Sequence, residues 1–271
     1  MPARIQRLDA ELTRRGLARS REQAVALIAA GRVEVRGVLA TKPASGVDND
    51  TPIRVQPDVD DPGYASRGGH KLAGALAAFP QIDPAGKRCL DAGASTGGFT
   101  DVLLRRGARE VVAVDVGYGQ LVWALQTDDR VHVFDRMNVR AIGPEEIGGQ
   151  AALTVADLSF ISLRLVLPAL TACTEDGGDL LPMVKPQFEV GKERLGSGGV
   201  VRDPAQRAES VLKVANAAAE LGWFTAGVCA SPLPGPSGNV EFFLWLRRMV
   251  DEPLSAEQIS EIVSTAEVHT R

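Results

Sequence analysis

The sequence predicts an α/β protein with a mostly parallel sheet, preceded by a small α+β domain. From about Ser66 onward, strand-like and helix-like segments alternate, which is typical of a parallel sheet covered by helices. The first 42 residues instead contain two short helical segments followed by strands. A polar segment with two prolines and three aspartates, residues 56–64, separates the two parts and is typical of a linker.

The composition supports one sizeable domain and one small domain. The chain has 271 residues, of which 45% are hydrophobic and 24% are charged. We expect domains at residues 1–56 and 66–271, joined by a linker at residues 57–65. The net charge is -4, but residues 1–56 carry ten Lys and Arg against six Asp and Glu, a net charge of +4, which leaves -8 for the rest. Positive charge is therefore concentrated in the small domain.

Several classes of protein are disfavoured. The three cysteines are odd in number and widely spaced, so they predict neither a disulfide framework nor a zinc site. The three histidines are not spaced with other ligand types as a metal site requires. The N-terminus lacks the apolar core of a signal peptide, and the longest uncharged stretch, residues 221–240, contains three prolines and four glycines. We expect a cytoplasmic protein without a bound metal or a membrane segment.

The small domain begins with two helices. Leu8 and Leu12 share one helical face, and Gly16 ends that helix. Ser20 is the expected N-cap of a second helix, which stops at Gly31. The alternating VEVR segment that follows predicts a strand.

Basic side chains cluster on the first helix and around the start of the second: Arg7, Arg14, Arg15, Arg19 and Arg21. A solvated basic face is the alternative without function. The pattern RLD, then GLARSREQA, then a KP that includes Lys42, resembles the S4-type RNA-binding module, which implies that these residues contact RNA.

The sequence of the large domain predicts seven strands with helices between them. The last strand should be antiparallel to the others. The strands are expected at Cys89–Ala92, Val111–Asp115, Val131–Phe134, Leu153–Asp157, Leu180–Lys185, near Trp223–Ala230 and at Val240–Leu246. Helices fit the segments between them, including Asp203–Leu221 and Ser255–Glu267. Pro186, directly after Lys185, should block both further pairing of the strand and a helix.

A glycine-rich loop follows the first of these strands, in LDAGASTGGFT. Asp91 lies at the strand end, and Gly93, Gly97 and Gly98 let the backbone approach a ligand closely. The spacing is not that of a dinucleotide fingerprint, and the loop lacks the Gly-Lys-Ser/Thr ending of a P-loop. The loop therefore predicts a cofactor site for a molecule without a phosphate.

An acidic residue, Asp115, ends the next strand, where an acid would accept hydrogen bonds from the ribose hydroxyls of an adenosine. Together with the loop it resembles motifs I and II of the Rossmann-like methyltransferases, which implies S-adenosyl-L-methionine as the cofactor. The resemblance also places Ser95, Phe99, Asn138, Asp157 and Phe160 at the cofactor. Core packing is the alternative for Phe160.

The same loop admits a second interpretation. The run GASTG, residues 93–97, satisfies G-x-S-x-G, the nucleophile elbow of α/β-hydrolases, with Ser95 as the nucleophile. A hydrolase then needs a histidine, and the candidates are His132 and His269. His132 comes too early to follow a late acid, and His269 lies two residues from the C-terminus, so the cofactor role is favoured.

Four charged residues should meet at one edge of the sheet. Lys71 lies in a short helix before the first strand, Asp157 and Lys185 end two strands, and Glu241 opens the antiparallel one. Ligands bind at the carboxyl ends of strands in open α/β sheets. Each residue also has an ordinary explanation, because a lysine at a strand end reaches water and an aspartate there caps a helix. Their order and placement resemble the catalytic residues of FtsJ-like ribose methyltransferases.

The whole chain resembles the TlyA family, whose members are named both hemolysins and ribosomal RNA cytidine 2'-O-methyltransferases. The matching segments are SRGGHKL, LDAGASTGGFT, DVGYGQL, ADLSFISL, VKPQFEVGK, GGVVRD and SPLPGPSGNVEFFLWL. The resemblance implies methylation of cytidine ribose in 16S or 23S ribosomal RNA, with sensitivity to capreomycin-type antibiotics as a consequence. It also implies that Lys185 accepts or polarises the proton of the ribose hydroxyl, with Lys71 as a second cation, while Asp157 orients Lys185 and Glu241 holds the ribose or Lys71.

Further basic residues of the large domain are candidates for RNA contact. Arg67, Arg136 and Lys192 are expected to guide RNA phosphate into the large domain. The alternatives to the enzyme are an RNA-binding assembly factor with a vestigial cofactor fold and a membrane-lytic protein. A base methyltransferase is disfavoured because those enzymes usually rely on a catalytic Cys or an Asn/Asp-Pro-Pro-aromatic loop, and neither is present.

Overall fold

The computed structural model describes residues 5–18, 20–56, 62–235 and 237–266. Its contacts divide the chain into two units, Met1–Gly63 and Tyr64–Arg271. Each unit has its own buried core. Some predictions fall outside the described residues: the RNA contact of Arg19, the hydrolase candidate His269, the linker at residues 57–61 and the predicted helix end at Glu267.

The N-terminal unit combines two helices with short strands. Its helices are α1 (Leu8–Arg14) and α2 (Arg21–Ala29), and its strands are β1 (Gln6–Arg7), β2 (Val33–Val35), β3 (Val38–Leu39), β4 (Gly46–Val47) and β5 (Ile53–Val55). Strand β1 pairs with β4, and β2 pairs with both β3 and β5. Ser20 caps α2, because its side chain accepts a hydrogen bond from the Gln23 amide at 3.1 Å. The predicted α+β organisation is confirmed.

The strands described in the C-terminal unit form one seven-stranded sheet. They are β6 (Arg88–Ala92), β7 (Glu110–Val114), β8 (Val131–Phe134), β9 (Ala151–Ala156), β10 (Thr174–Val184), β11 (Phe224–Ala230) and β12 (Phe242–Arg247). Their order across the sheet is β11-β12-β10-β9-β6-β7-β8. Strand β12 runs antiparallel to both of its neighbours, and the pairs from β10 to β8 are parallel. The predicted sheet, mostly parallel with an antiparallel last strand, is confirmed.

Helices cover both faces of this sheet. They are α3 (Gly68–Ala78), α4 (Gly98–Arg105), α5 (Trp123–Gln126), α6 (Leu167–Ala172), α7 (Pro186–Glu189), α8 (Pro204–Glu220) and α9 (Ala256–Thr265). One buried cluster joins α3 and α4 to the sheet through residues such as Leu72 and Leu103. A second cluster joins α6, α8 and α9 to the sheet through Leu170, Val211 and Ile259. These apolar layers fix the strand ends that carry the polar residues of the site.

Two local features differ from the sequence prediction. Strand β10 begins at Thr174, six residues before the predicted start, and its register shifts between Thr174 and Asp179. Pro186 does not block a helix, because it occupies the first position of α7, where a proline needs no hydrogen-bond donor. Lys185 is the N-cap residue of that helix. None of the helices described is both long and apolar enough to cross a membrane.

Candidate functional site

The four charged residues predicted at one sheet edge do lie together. Asp157 directly follows β9, and Lys185 directly follows β10, its parallel neighbour. Glu241 directly precedes β12, whose antiparallel register pairs Val184 with Phe242. The start of β12 therefore lies beside the end of β10. Lys71 reaches the same place from α3.

These residues form two ion pairs. Lys71 Nζ lies 2.5 Å from Glu241 Oε2, and Lys185 Nζ lies 2.6 Å from Asp157 Oδ1. Both lysines are only 8% exposed. Because a buried charge is stable only when it is paired, each lysine is held by its acid in one position. Lys185 also donates a hydrogen bond to Ser159 Oγ at 2.9 Å.

Glu241 keeps one acceptor atom unused. Its Oε1 is buried and has no hydrogen-bond partner among the described residues. Gly235 allows this close packing, because a Cβ atom there would lie 2.6 Å from Glu241 Oε1. Since a buried unsatisfied acceptor costs free energy, this oxygen is suited to accept a hydrogen bond from a hydroxyl group of a ligand.

The glycine-rich loop lies between β6 and α4 and borders the same group of charges. Gly93 has φ +90°, and a Cβ atom there would lie 2.7 Å from the carbonyl oxygen of Asp157. Gly97 has φ +96° and is the N-cap residue of α4. A Cβ atom on Gly98 would collide with the Ser66 hydroxyl and with the amide of Gly69. Space thus requires glycine at Gly93 and Gly98, and the positive φ favours it at Gly93 and Gly97.

Asp91 is fully buried beneath this loop. Its Oδ2 accepts a hydrogen bond from Thr100 Oγ1 at 2.7 Å, and its Oδ1 has no partner among the described residues. Burial raises the pKa of Asp91 to about 7 although the Thr100 hydrogen bond lowers it, and the negative charge of Asp157 raises it further. Asp91 is therefore poised to change protonation near neutral pH.

Asp115 joins two loops. Its Oδ2 accepts a hydrogen bond from the Ser95 amide and its Oδ1 accepts one from the Gly117 amide, both at 2.7 Å. Each oxygen of a carboxylate keeps a second lone pair, so the side chain can still accept hydroxyl groups. Asn138, which was predicted to lie at the cofactor, uses its Oδ1 to accept a hydrogen bond from the Arg140 amide at 3.0 Å and caps a short 3-10 turn.

The two predicted aromatic contacts have different surroundings. Phe99 is buried and packs against Phe243, with ring centroids 6.0 Å apart. Phe160 is 91% exposed and has φ +64°, and its ring lies 5.4 Å from that of Phe188. Core packing, the alternative interpretation of Phe160, is therefore wrong.

Two cavities meet at Lys185 and Ser159, which line both. The first cavity, about 310 Å³, is also lined by the glycine-rich loop, Lys71 and Asp157. The second cavity, about 560 Å³, is lined by Phe160, Phe188 and Glu241 among others. Lys185 therefore stands at the boundary between a glycine-lined space and a partly aromatic space.

Ser95 has φ +47°, as the nucleophile elbow of a hydrolase would require. Its hydroxyl, however, lies 3.4 Å from the side-chain oxygen of Gln120. His132, the described candidate for the histidine of a hydrolase, lies within β8. It contacts Oε2 of Glu110, the first residue of β7, at 3.1 Å. Since β7 begins at the edge of the sheet opposite the loop, His132 is remote from Ser95.

The predicted RNA-binding arginines of the N-terminal unit are partly engaged in ion pairs. Arg7 and Arg21 pair with Asp9, and Arg14 and Arg15 pair with Glu11. The Arg7 hydrogen bond holds the pKa of Asp9 at about 2, and the Arg14 hydrogen bond holds that of Glu11 at about 2.

Arg15 is the most enclosed of these arginines, with its side chain 21% exposed. It donates hydrogen bonds to the carbonyl groups of Asp48, Asn49 and Thr51, so it has a structural role. Lys42 is exposed.

The RNA contacts predicted in the C-terminal unit fall at different places. Arg67 lines the first cavity. Arg136 has φ +57° and its guanidinium lies 4.3 Å from the ring centroid of Tyr118, an exposed residue. Lys192 lies in a short 3-10 turn after α7, and its side chain is outside the described part of the structure.

Sequence reasoning missed two residues that organise the site. Ser159 touches Lys185, and its position two residues after Asp157 was a signal for it. Glu189 is buried, and its carboxylate accepts hydrogen bonds from Ser162 Oγ at 2.6 Å and from the Leu163 amide at 2.7 Å. Burial raises the pKa of Glu189. No local sequence signal distinguishes this glutamate from an exposed one on α7.

Comparison with known proteins assigns both units. Residues 64–248 match the model of the FtsJ-like methyltransferases, and residues 6–50 match that of the S4 domain. The 16S/23S rRNA (cytidine-2'-O)-methyltransferase TlyA of Mycobacterium tuberculosis is 60% identical over 264 residues, which cover 97% of this chain and 98% of that protein. Hemolysin A of Brachyspira hyodysenteriae is 35% identical and covers 87% of this chain and 97% of its own.

A solved structure agrees with the assignment. A protein described as a hemolysin from Streptococcus thermophilus is 39% identical and has a TM-score of 0.75, with 96% of this chain and 94% of the other covered. The protein is an enzyme of the methyltransferase class, which removes the hydrolase and assembly-factor alternatives. The chain belongs to the FtsJ-like methyltransferase family and, within it, to the TlyA proteins.

Proposed function

We propose that the protein methylates the 2'-hydroxyl of cytidine in ribosomal RNA, of the 16S or the 23S type, with S-adenosyl-L-methionine as the methyl donor. The relative from Mycobacterium tuberculosis is named for this reaction. The observation that carries the proposal is the buried pair of Lys185 and Asp157 at the boundary between the two cavities. The S4 domain match supports RNA as the substrate.

The first cavity fits the methyl donor. Gly93 and Gly98 line it, and their lack of side chains lets the loop backbone pack closely against Asp157 and Ser66. Asp115 has acceptor lone pairs that suit the ribose hydroxyls of an adenosine. Asp157 adds a negative charge at the cavity wall, which suits a positively charged sulfonium. We assign Asp91, Ser95, Phe99 and Asn138 to the same cofactor site.

The second cavity suits the target nucleoside. Phe160 presents an exposed ring beside Phe188, and exposed aromatic rings stack on unpaired bases. Glu241 has a buried acceptor oxygen without a described partner, which suits a ribose hydroxyl. The methyl donor and the ribose would then approach Lys185 from opposite sides.

The residues of the chain divide the reaction between them. When bound, S-adenosyl-L-methionine supplies an electrophilic methyl group on a sulfonium. Lys185 Nζ, as the neutral amine after it has released a proton to water, takes the proton of the attacking 2'-hydroxyl. Asp157 and Ser159 fix that amine in place. Lys71 holds Glu241, and Glu241 positions the ribose. Holding both reactants in this geometry can lower the barrier by ~7 to 11 kcal/mol.

The proposal is tested by mass spectrometry of nucleosides. Ribosomal subunits from cells that lack the enzyme are incubated with the full chain and S-adenosyl-L-methionine labelled in the methyl group. We expect the label on the ribose of cytidine, and none with the Lys185→Ala variant. Label on a base, or no label with either subunit, would overturn the proposal.

The proposal includes an effect on antibiotics. We propose that the methylated ribosome is more sensitive to capreomycin-type antibiotics. A strain that expresses the wild-type chain should be inhibited at lower capreomycin concentrations than one that expresses Lys185→Ala. Equal inhibition of the two strains would remove this part of the proposal while leaving the reaction itself untouched.

A further inference from the structure

A buried arginine next to the active site lacks a partner for part of its side chain. Arg207 lies in the first two turns of α8 and is 7% exposed. Its Nε donates to the carbonyl of Val201 at 3.2 Å, and its Nη2 donates to the carbonyl of Arg202 at 2.7 Å. The third nitrogen, Nη1, has no hydrogen-bond acceptor among the described residues.

The positive charge of Arg207 is also uncompensated by direct contact. No described carboxylate forms an ion pair with it. Burial lowers the pKa of its guanidinium, and the charge of nearby Asp203 opposes that effect. Asp203 instead caps α8, with its Oδ1 accepting a hydrogen bond from the Ala205 amide at 3.0 Å. Nη1 is not among the buried side-chain atoms that lack a partner in the described part of the chain, so a ligand can reach it, and an anion there would form a charge-assisted hydrogen bond with the guanidinium.

Arg207 lines a third cavity of about 310 Å³. Its lining includes a second cation, Arg202, and no carboxylate. Arg202 is exposed at its position before α8, whereas Arg207 is buried. The lining of the cavity therefore offers one fixed and one exposed positive charge, and the nearby negative charge of Asp203 lies outside this lining.

The third cavity adjoins the proposed nucleoside site. Ser237 lines both the second and the third cavity. Val240 lines the third cavity and Glu241 the second, and consecutive Cα atoms are about 3.8 Å apart. Asn239 fixes the two sides together, since its side chain accepts from the Val201 amide at 2.9 Å and donates to the Gly199 carbonyl at 2.8 Å.

We propose that the third cavity binds a backbone phosphate of the RNA, within a nucleotide or two of the ribose that is methylated. A guanidinium with a free N–H edge recognises phosphate by charge-assisted hydrogen bonds. The contact fixes the register of the strand and carries no sequence information. This inference rests on the proposed function, because it takes RNA as the substrate.

The test measures how RNA binding depends on salt. Each phosphate contact that is lost reduces the slope of log affinity against log salt by about 1. For Arg207→Met we expect about 10-fold weaker binding of a ribosomal RNA fragment, a slope smaller by about 1, and unchanged affinity for S-adenosyl-L-methionine. Arg130→Met removes the same charge from an exposed ion pair with Asp128 and should leave the slope unchanged.

A second variant and a modified RNA extend the test. If Arg207→Met does not fold, as thermal unfolding would show, Arg202→Met should still reduce the slope, because it removes the exposed cation. In wild-type protein, a methylphosphonate at a single position near the target cytidine should weaken binding, and Arg207→Met should be insensitive to it. An unchanged slope in both arginine variants would overturn the proposal.

The source of the phosphate is tested separately. One pair of results to look for is that inorganic phosphate stabilises wild-type protein against thermal unfolding while no methylphosphonate position weakens RNA binding. That pair of results would assign the cavity to free phosphate and overturn the RNA assignment. Failure of the proposed function looks different, since wild-type protein would then bind the RNA fragment and transfer no methyl group.

Discussion

The carboxylate of Glu189 accepts a hydrogen bond from Ser162 Oγ at 2.6 Å. This contact ties the helix that follows Lys185 to the segment that follows Asp157. The segments that follow two neighbouring strands, and that carry the two charged groups at their starts, are therefore linked beside the second cavity, which Ser162 lines. The contact thus supports the position of Lys185 relative to Asp157.

Replacing Glu189 by alanine should loosen the site. The change leaves the Leu163 amide without its acceptor, which costs about 1 to 3 kcal/mol of stability. We expect kcat to fall at least 10-fold while the affinity for S-adenosyl-L-methionine changes little, and Glu189→Gln should recover part of the loss. Turnover and thermal unfolding of the variants check this. Glu209→Ala, which breaks an exposed ion pair with Arg194, is the matched control, and equal behaviour of the two alanine variants would contradict the assignment.

Lys185→Ala should abolish methyl transfer and leave cofactor binding intact. Its amine contacts both Asp157 and Ser159, whereas the glycine-rich loop that forms the cofactor wall is untouched. Turnover on ribosomal RNA and calorimetry with S-adenosyl-L-methionine measure the two properties. Lys213→Ala, a change to a more exposed lysine paired with Glu209, should retain full turnover. Near-normal turnover of Lys185→Ala would show that this amine handles no proton.

Asp91 should make the stability of the protein depend on pH. In the unfolded chain an aspartate loses its proton near pH 4, and in the folded chain Asp91 loses it at about pH 7. Between these values the folded state binds the extra proton, so the free energy of unfolding falls as the pH rises from about 4 to 7. The effect is at most roughly 4 kcal/mol.

The Asp91→Asn variant isolates this effect. Its melting temperature relative to wild type should rise between pH 4.5 and pH 8, because the variant has no carboxyl group to deprotonate. Asp128→Asn should show no such rise over this range, since the Arg130 hydrogen bond lowers the pKa of Asp128 and its carboxylate therefore stays ionised in the folded and the unfolded chain. Parallel pH profiles for the two variants would rule out a raised pKa at Asp91.

Substitutions of Arg15 and Lys42 should affect different properties of the N-terminal unit, stability in the first case and RNA binding in the second. Arg15→Ala removes hydrogen bonds to Glu11 and to three carbonyl groups, so we expect a loss of roughly 1 to 3 kcal/mol at pH 7. Lys42→Ala changes an exposed side chain and should weaken RNA binding without altering stability. Chemical unfolding and RNA titration of both variants measure this. A fully stable Arg15→Ala protein would contradict the structural role.

The stability lost in the Arg15→Ala variant should be smaller at acidic pH. The Arg14 hydrogen bond lowers the pKa of Glu11 to about 2. The stability that the ionised Glu11 carboxylate contributes is therefore present at neutral pH and is lost as the pH falls toward 2. The difference between wild type and Arg15→Ala should therefore be larger at pH 7 than at pH 3.

Phe160→Gly should lose activity without losing stability. The residue is exposed and has φ +64°, where glycine is unstrained and phenylalanine is not. The relief of strain offsets the extra freedom of glycine in the unfolded chain, so the net change should be about 0 to 1 kcal/mol in either direction. Thermal unfolding and turnover on RNA are the two measurements. Retained turnover would show that the ring contacts neither substrate nor cofactor.

The sequence predicted the sheet and the meeting of three of its four charged residues because both follow from the pattern of strands. Residues that end parallel strands must lie at one edge, so the placement of Asp157 and Lys185 required no knowledge of packing. The antiparallel direction of β12 then brought Glu241 to the same edge. The family resemblance placed Lys71, whose position depends on how α3 packs.

What the sequence could not predict depends on contacts between distant segments. The internal role of Arg15 arises because its side chain reaches the carbonyl groups of residues 48–51, more than 30 residues later in the chain. Glu189 has the same charge as an exposed glutamate, and only the packing of α7 buries it. The helix that starts at Pro186 was missed because a proline that ends one element can equally begin the next.

Lys185 and Ser159 belong to the walls of both cavities. A ligand that shifts these two side chains in one cavity would therefore change the surface of the other. For the proposed ligands, thermodynamic reciprocity then requires that the factor by which the methyl donor changes the affinity for RNA equals the factor by which RNA changes the affinity for the donor. Measuring either factor would give the coupling free energy between the two cavities.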